Sequence, residues 1–212
     1  MRDFPVFSTE NGVGSLILKE IPYSGIAYIK ILDASAPTDF LKECVDFCKM
    51  AGCKKIYASG HEMLEEYPYT TSIWKMRANR GCLPETEAAL FPVTEKTSHK
   101  WMEIYNEKMQ NIPNASHMSL RDMDRLIQEG GGYFVHIDDT LLGIGKISSE
   151  QIDCVISLRK GAGEQVVAAL NHGISGEYVQ LEVASTNTKA VTLYERLGFI
   201  KTAEISRWYE VL

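Results

Sequence analysis

The stretch Leu181-Glu182-Val183-Ala184-Ser185-Thr186-Asn187-Thr188-Lys189-Ala190-Val191-Thr192-Leu193-Tyr194-Glu195-Arg196-Leu197-Gly198-Phe199 decides the fold. Its first part alternates, with Val179, Leu181 and Val183 on one side and Tyr178, Gln180 and Glu182 on the other, which predicts a strand over Tyr178–Ala184. From Thr188 the period changes to that of a helix, ending at Leu197 before Gly198. Asn187, Ala190 and Tyr194, spaced by three and four, then stack along one helix face. A small residue at 190 lets a ligand chain approach, Asn187 offers an amide, and Tyr194 places a phenol one turn on. Each has a plainer reading: Asn187 as a helix cap, Gly198 as a helix stop, Tyr194 as a core aromatic.

Upstream lies Ser157-Leu158-Arg159-Lys160-Gly161-Ala162-Gly163-Glu164, where a strand over Ile152–Ser157 gives way to a helix over Gly163–His172. Amides at a helix N-terminus lack intrahelical partners and attract anions. Glycine removes the Cβ that would hold a pyrophosphate off those donors, and Arg159 and Lys160 add positive charge. A tight strand-to-helix turn with two solvated basic residues accounts for the same letters.

Working further back, strands are predicted at Tyr133–Ile137 and Leu141–Ile147, joined by a turn at Asp138-Asp139-Thr140. Helices are predicted at about 98–110 and 119–128, the second opened by the capping box Ser119-Leu120-Arg121-Asp122. Ala89-Leu90-Phe91-Pro92-Val93 reads as a strand, and a last strand lies near Ile205–Val211. This order predicts an α/β (α+β) mixed sheet with helices on both faces. The region before it reads as a hairpin, a helix opened by Pro37-Thr38-Asp39, and a strand at Lys55–Ala58. That echoes the hairpin, helix and strand of the later region; two unrelated αβ units would look the same. Residues 75–88, polar and small with Gly81 and Pro84, mark a boundary, giving 1–88 as an N-terminal αβ subdomain and 89–212 as the second domain.

Composition narrows the classes. The net charge of −6 disfavours nonspecific nucleic-acid binding and suits a cationic substrate such as an amine. No apolar run approaches the roughly 20 residues of a membrane span, and the start lacks a signal peptide. Five cysteines (Cys44, Cys48, Cys53, Cys82 and Cys154) without a CxxC pair point to reduced thiols and a cytoplasmic setting. Cys44, Cys48 and Cys53 read as small buried residues rather than as a metal site, for want of histidines to complete one.

The run Asn187-x-x-Ala190-x-x-Leu193-Tyr194-Glu195-x-x-Gly198-Phe199, with Gly161-Ala162-Gly163 before it, resembles the signature of the GNAT family of N-acetyltransferases over roughly residues 89–212. The resemblance implies the acyl-CoA N-acyltransferase fold with an additional N-terminal αβ subdomain, itself open to reading as a degenerate GNAT-like half. It implies acetyl transfer from acetyl-coenzyme A to a primary amine, on a small molecule or peptide, by direct attack in a ternary complex. Backbone groups of Val155, Ile156 and Ser157 would then pair with the pantetheine arm, and Arg159, Lys160, Gly161, Ala162, Gly163 and Glu164 would hold the pyrophosphate. Asn187 and Ala190 would border the cofactor, and Tyr194 would face its sulfur and protonate the departing thiolate. Glu182 is the first candidate for general base, with Asp153, His136 or a water chain as alternatives. One departure stands out: the family places Arg or Gln three residues before the first loop glycine, where this chain has Leu158. A cofactor-binding or regulatory module without catalysis is the alternative reading. No metal is implied, and a homodimer stays open. In the N-terminal region Ser35-Ala36-Pro37-Thr38 stands where a glycine loop would be, and Tyr67, Tyr69 and Trp74 line an acceptor cleft or pack a core or interface.

Overall fold

In a computed structural model, residues 5–212 are described, and they fall into two compact units. The first comprises the chain to Ile73 together with Ile205–Leu212; the second is Trp74–Glu204. The division thus falls at 73/74, where the sequence led to 88/89, and the last eight residues return to the first unit.

The first unit opens with β1 (Val6–Ser8), β2 (Gly12–Ile17), the single turn α1 (Ile21–Ser24) and β3 (Ile26–Ala34). α2 (Pro37–Met50) and β4 (Lys55–Ser59) follow. β2 and β3 pair antiparallel as expected, and β3 and β4 pair parallel across the α2 crossover. α2 lays Phe40, Leu41, Cys44 and Cys48 into a core with Ile29, Ile31, Ile56 and Leu64. Cys44 and Cys48 are buried there as free thiols, Cys53 is half-buried, and among the described residues no three potential ligands gather to hold a metal ion.

The second unit runs β6 (Ala89–Pro92), α3 (Glu95–Met109), α4 (Leu120–Glu129), β7 (Gly132–Ile137), β8 (Thr140–Ser148), β9 (Gln151–Ser157), α5 (Gly163–His172), β10 (Tyr178–Ala184) and α6 (Thr188–Arg196). This is the predicted order. The Ser119 capping box forms, with the Asp122 N–H donating to Ser119 Oγ at 3.3 Å and the Ser119 N–H to Asp122 Oδ2 at 3.0 Å. Asp138 takes φ +49° in the turn between β7 and β8. One face of the sheet packs Val166, Val167 and Leu170 of α5 and Val191 and Tyr194 of α6. The other packs Trp101 and Ile104 of α3 with Met123 and Leu126 of α4. No helix among the described residues is long and apolar enough to cross a membrane.

Two strands are shared. β5 (Tyr69–Asn79) and β11 (Ile200–Glu210) each give one half to each unit. The stretch 75–79, expected as linker, is therefore strand, and Trp74, Met76 and Ala78 of β5 pack into the second core.

Candidate functional site

β9 and β10 are neighbouring parallel strands, yet they pair only at Gln180↔Gln151 and Leu181↔Ile152, at the start of β9 and the middle of β10. The sheet opens beyond that point. A bulge in β9 accompanies the opening: β8 pairs Lys146 with Cys154 and the next residue, Ile147, with Ile152, so Asp153 is the extra residue. An extra residue swings the strand and resets which side each side chain takes. Ile152 accordingly packs with the α5/α6 core, whereas Cys154 and Ile156 pack with the α3/α4 core.

The bulge also fixes where the backbone donors point. Leu158 N–H donates to Leu142 C=O on β8 at 2.8 Å, so by strand alternation Ile156 and Cys154 also address β8. Val155 and Ser157 then turn their N–H and C=O into the opening. Of the three strand residues expected to meet a pantetheine arm, Val155 and Ser157 are turned to the opening. Ile156 is not, being buried and bonded towards β8.

At the end of β9 the chain turns tightly. Arg159 C=O accepts from both Ser157 Oγ (2.7 Å) and Ala162 N–H (3.2 Å), so Ala162, contrary to expectation, has spent its amide within the loop. Arg159, Lys160 and Gly161 are exposed. Gly161 has φ +84°, and a Cβ there would meet nothing within 4 Å: the backbone needs glycine and the space above it is open. Gly163 serves another purpose, since a Cβ would come 2.9 Å from Leu193 of α6. It lets two helices approach rather than clearing room for a ligand. α5 begins at Gly163 with Ala162 as a cap that has no side-chain acceptor, leaving first-turn amides open to an anion. The Glu164 carboxylate pairs with Arg196 at 3.2 Å and offers the site only its main chain. Leu158 packs against the α3/α4 core, so the exposed cation nearest its place is Arg159.

Across the opening, Asn187 caps α6 by accepting from Ala190 N–H at 3.3 Å; its Oδ1 is used locally. Ala190 is half-buried beside it. Gly198, with φ +87°, turns the chain back so that Phe199 N–H bonds to Tyr194 C=O at 2.9 Å and the Phe199 ring lies 5.7 Å from that of Tyr194. The tyrosine is thus fixed from below. It is 7% exposed. Burial pushes its pKa up from the ordinary 10.0, and the nearby Cys154 thiol adds to the shift, so it holds its proton at neutral pH.

Glu182 lies on the other face of β10 and is exposed. Its neighbours Val179, Leu181 and Val183 are buried, as the alternation predicts. Asp153 is tied to Lys146 at 3.5 Å. His136 sits edge-on to Phe91, 5.2 Å between ring centres, at the β6 side of the sheet. The three aromatics do not form one cleft: Tyr67 packs in the first core, Tyr69 lies edge-on to Tyr209, and Trp74 packs in the second. A separate cavity of about 360 Å³ lies at the far end of α5, but its Arg80 is held by Asn171 and the Gly176 carbonyl.

Sequence and fold comparisons agree with this geometry. Residues 154–209 match the family model of FR47-like proteins, which are GNAT-related. No curated protein matches the chain significantly. Among solved structures, a functionally unknown conserved protein from Staphylococcus epidermidis aligns at TM-score 0.62 and 11% identity, covering 99% of this chain and 94% of that one. A GCN5-related N-acetyltransferase from Kribbella flavida aligns at 0.59 and 13%, covering 99% and 89%. Another from Anabaena variabilis aligns at 0.60 and 12%, covering 94% and 59%. At such identities these neighbours speak for the fold. The resemblance read from Asn187 to Phe199 therefore holds: this chain has the GNAT fold, and over residues 154–209 a GNAT-related sequence.

Proposed function

We propose that the protein is an N-acetyltransferase that moves an acetyl group from acetyl-coenzyme A to a primary amine by direct attack in a ternary complex. The observation that carries this is the opening between β9 and β10, bordered by strand amides, an uncapped helix start and the buried Tyr194. The residues fit the cofactor. Val155 and Ser157 present main-chain groups to an amide-bearing arm, and the amides at Gly161, Gly163 and Glu164 with Arg159 and Lys160 suit a diphosphate. Bound there, acetyl-coenzyme A supplies an activated thioester. Tyr194 keeps its proton in the neutral range and offers it to the departing sulfur. Glu182, on the opposite face and open to water, accepts the proton that the amine must lose, directly or through water.

Acetyl-coenzyme A at saturating concentration is expected to raise Tm by several degrees, because it binds only the folded state. No rise, with no binding by calorimetry, removes the cofactor and with it the reaction.

A further inference from the structure

Helices α3 and α4 cover one face of the second unit's sheet over β7, β8 and β9 and leave the adjoining strands open. On β5, Lys75 and Arg77 point away from the α5/α6 core, while Trp74, Met76 and Ala78 pack into it. β10 alternates in step, with Tyr178, Gln180 and Glu182 on the open side. β5 and β10 are neighbours in the sheet, and Arg80 N–H, just past β5, donates to Glu177 C=O, just before β10, at 3.0 Å. They therefore run antiparallel, and continuing that register sets Arg77 opposite Gln180 and Lys75 opposite Glu182. The Arg77 guanidinium stands 4.3 Å over the Tyr178 ring, its diagonal neighbour.

The charge of this floor opposes that of the whole chain. Lys146 and Asp153 neutralise each other beside it, leaving Lys75, Arg77 and Glu182: two cations and one anion in a protein of net charge −6. Among the described residues neither Lys75 nor Arg77 forms an ion pair. A guanidinium stacked on an aromatic ring is held flat and keeps its fork of N–H donors free, which suits a carboxylate better than a flexible ammonium does.

Building on the acetyltransferase reading, we infer that the acceptor is a peptide-like amine that also carries a carboxylate, and that Arg77 is the residue that selects it. Glu182 lies two residues along β10 from the position opposite Arg77. At roughly 3.4 Å per residue and about 4.8 Å between strands, the two backbones stand roughly 8 Å apart. A free α-amino acid, with both groups on one carbon, is too short to reach both. Three extended residues span roughly 10 Å and do reach. Polyamines and aminoglycosides bring further positive charge onto Lys75 and Arg77 and are disfavoured.

The test uses trialanine with a free C-terminal carboxylate, trialanine amide, and spermidine. Coenzyme A binding is measured first; each probe is then titrated calorimetrically into the protein saturated with desulfo-coenzyme A. Expected are coenzyme A binding, trialanine about tenfold tighter than its amide, the factor of one charge-assisted hydrogen bond, and spermidine weakest. Arg77→Ala is expected to erase the acid preference and Arg77→Lys to keep part of it. Both leave Tm unchanged, because the side chain is exposed. If coenzyme A binds but acid and amide bind alike, or neither binds, or Arg77→Ala keeps the preference, the acceptor assignment is wrong and the acetyltransferase reading survives. Absence of coenzyme A binding removes both.

Discussion

Each unit contains the same succession of antiparallel hairpin, crossover helix and parallel strand: β2, β3, α2 and β4 in the first, β8, β9, α5 and β10 in the second. They differ in how far the parallel strands stay paired. Those of the first unit are matched from Ile26↔Lys55 through Lys30↔Ser59, whereas those of the second part after two pairs. The first unit's strand-to-helix loop is also satisfied from within: Ser35 and Ala36 N–H groups both donate to Asn11 C=O, at 3.0 and 3.1 Å, and α2 starts on Pro37, which has no N–H. A shared topology thus opens between its parallel strands in the second unit and stays paired in the first. Each unit has a bulge in the corresponding strand, at Leu32 near the end of β3 and at Asp153 near the start of β9; what differs is where the bulge lies and where the loop amides find acceptors.

The glycines offer the sharpest way to break this contrast. Gly60, after β4, has φ +104°, and a Cβ there would lie 2.1 Å from Ile31 C=O. Gly60→Val is expected to cost about 3 kcal/mol or more in urea unfolding, since strain and clash add. Gly161→Val meets open space, so only the left-handed backbone is penalised, roughly 1–2 kcal/mol. It is nonetheless expected to weaken acetyl-coenzyme A at least about tenfold by calorimetry. Equal effects of the two on binding would end the distinction between a structural and a ligand-facing loop.

Tyr194→Phe probes the opening itself. Turnover is expected to fall about 10²-fold, the usual scale for losing a general acid, with acetyl-coenzyme A affinity nearly unchanged. Tm should change little, because the ring that packs in the core is kept. Full turnover in this variant would exclude the acid role.

The smallest effect is alkaline. Burial raises the thiols of Cys44, Cys48 and Cys154 from 9.0 to about 12. Unfolded thiols ionise first, so the stability tied to these protons is complete below pH 9 and is lost as pH climbs towards 12. Urea midpoints at pH 8 and 10.5 are expected to show the fall. Cys44→Ala with Cys48→Ala should remove more of it than Cys154→Ala, because two of the three thiols lie in the first unit.

The order of elements in the second unit was legible because local rules agree there: alternation at Tyr178–Ala184, the box at Ser119, the turn at Asp138 and the stop at Gly198 each act within a few residues. β5 was hidden by the breakers Gly81 and Pro84 and by Thr71 and Ser72, polar side chains that are buried. Its signal was present in Trp74-Lys75-Met76-Arg77-Ala78, which alternates cleanly. The bulge at Asp153 had no such signal, since an extra residue is visible only against the partner strand. The roles of individual site residues were lost for the same reason. That Gly163 answers to Leu193, and Ile156 to β8, follows from pairings distant in sequence.

The closing segment of β11 has a consequence for synthesis. Ile56 N–H bonds to Leu212 C=O at 3.0 Å, Val211 N–H to Ile56 C=O at 2.9 Å, and Tyr209 fills the first core. On the ribosome, the first unit must therefore wait for residues 205–212 before its sheet is complete, while Trp74–Glu204 has already emerged.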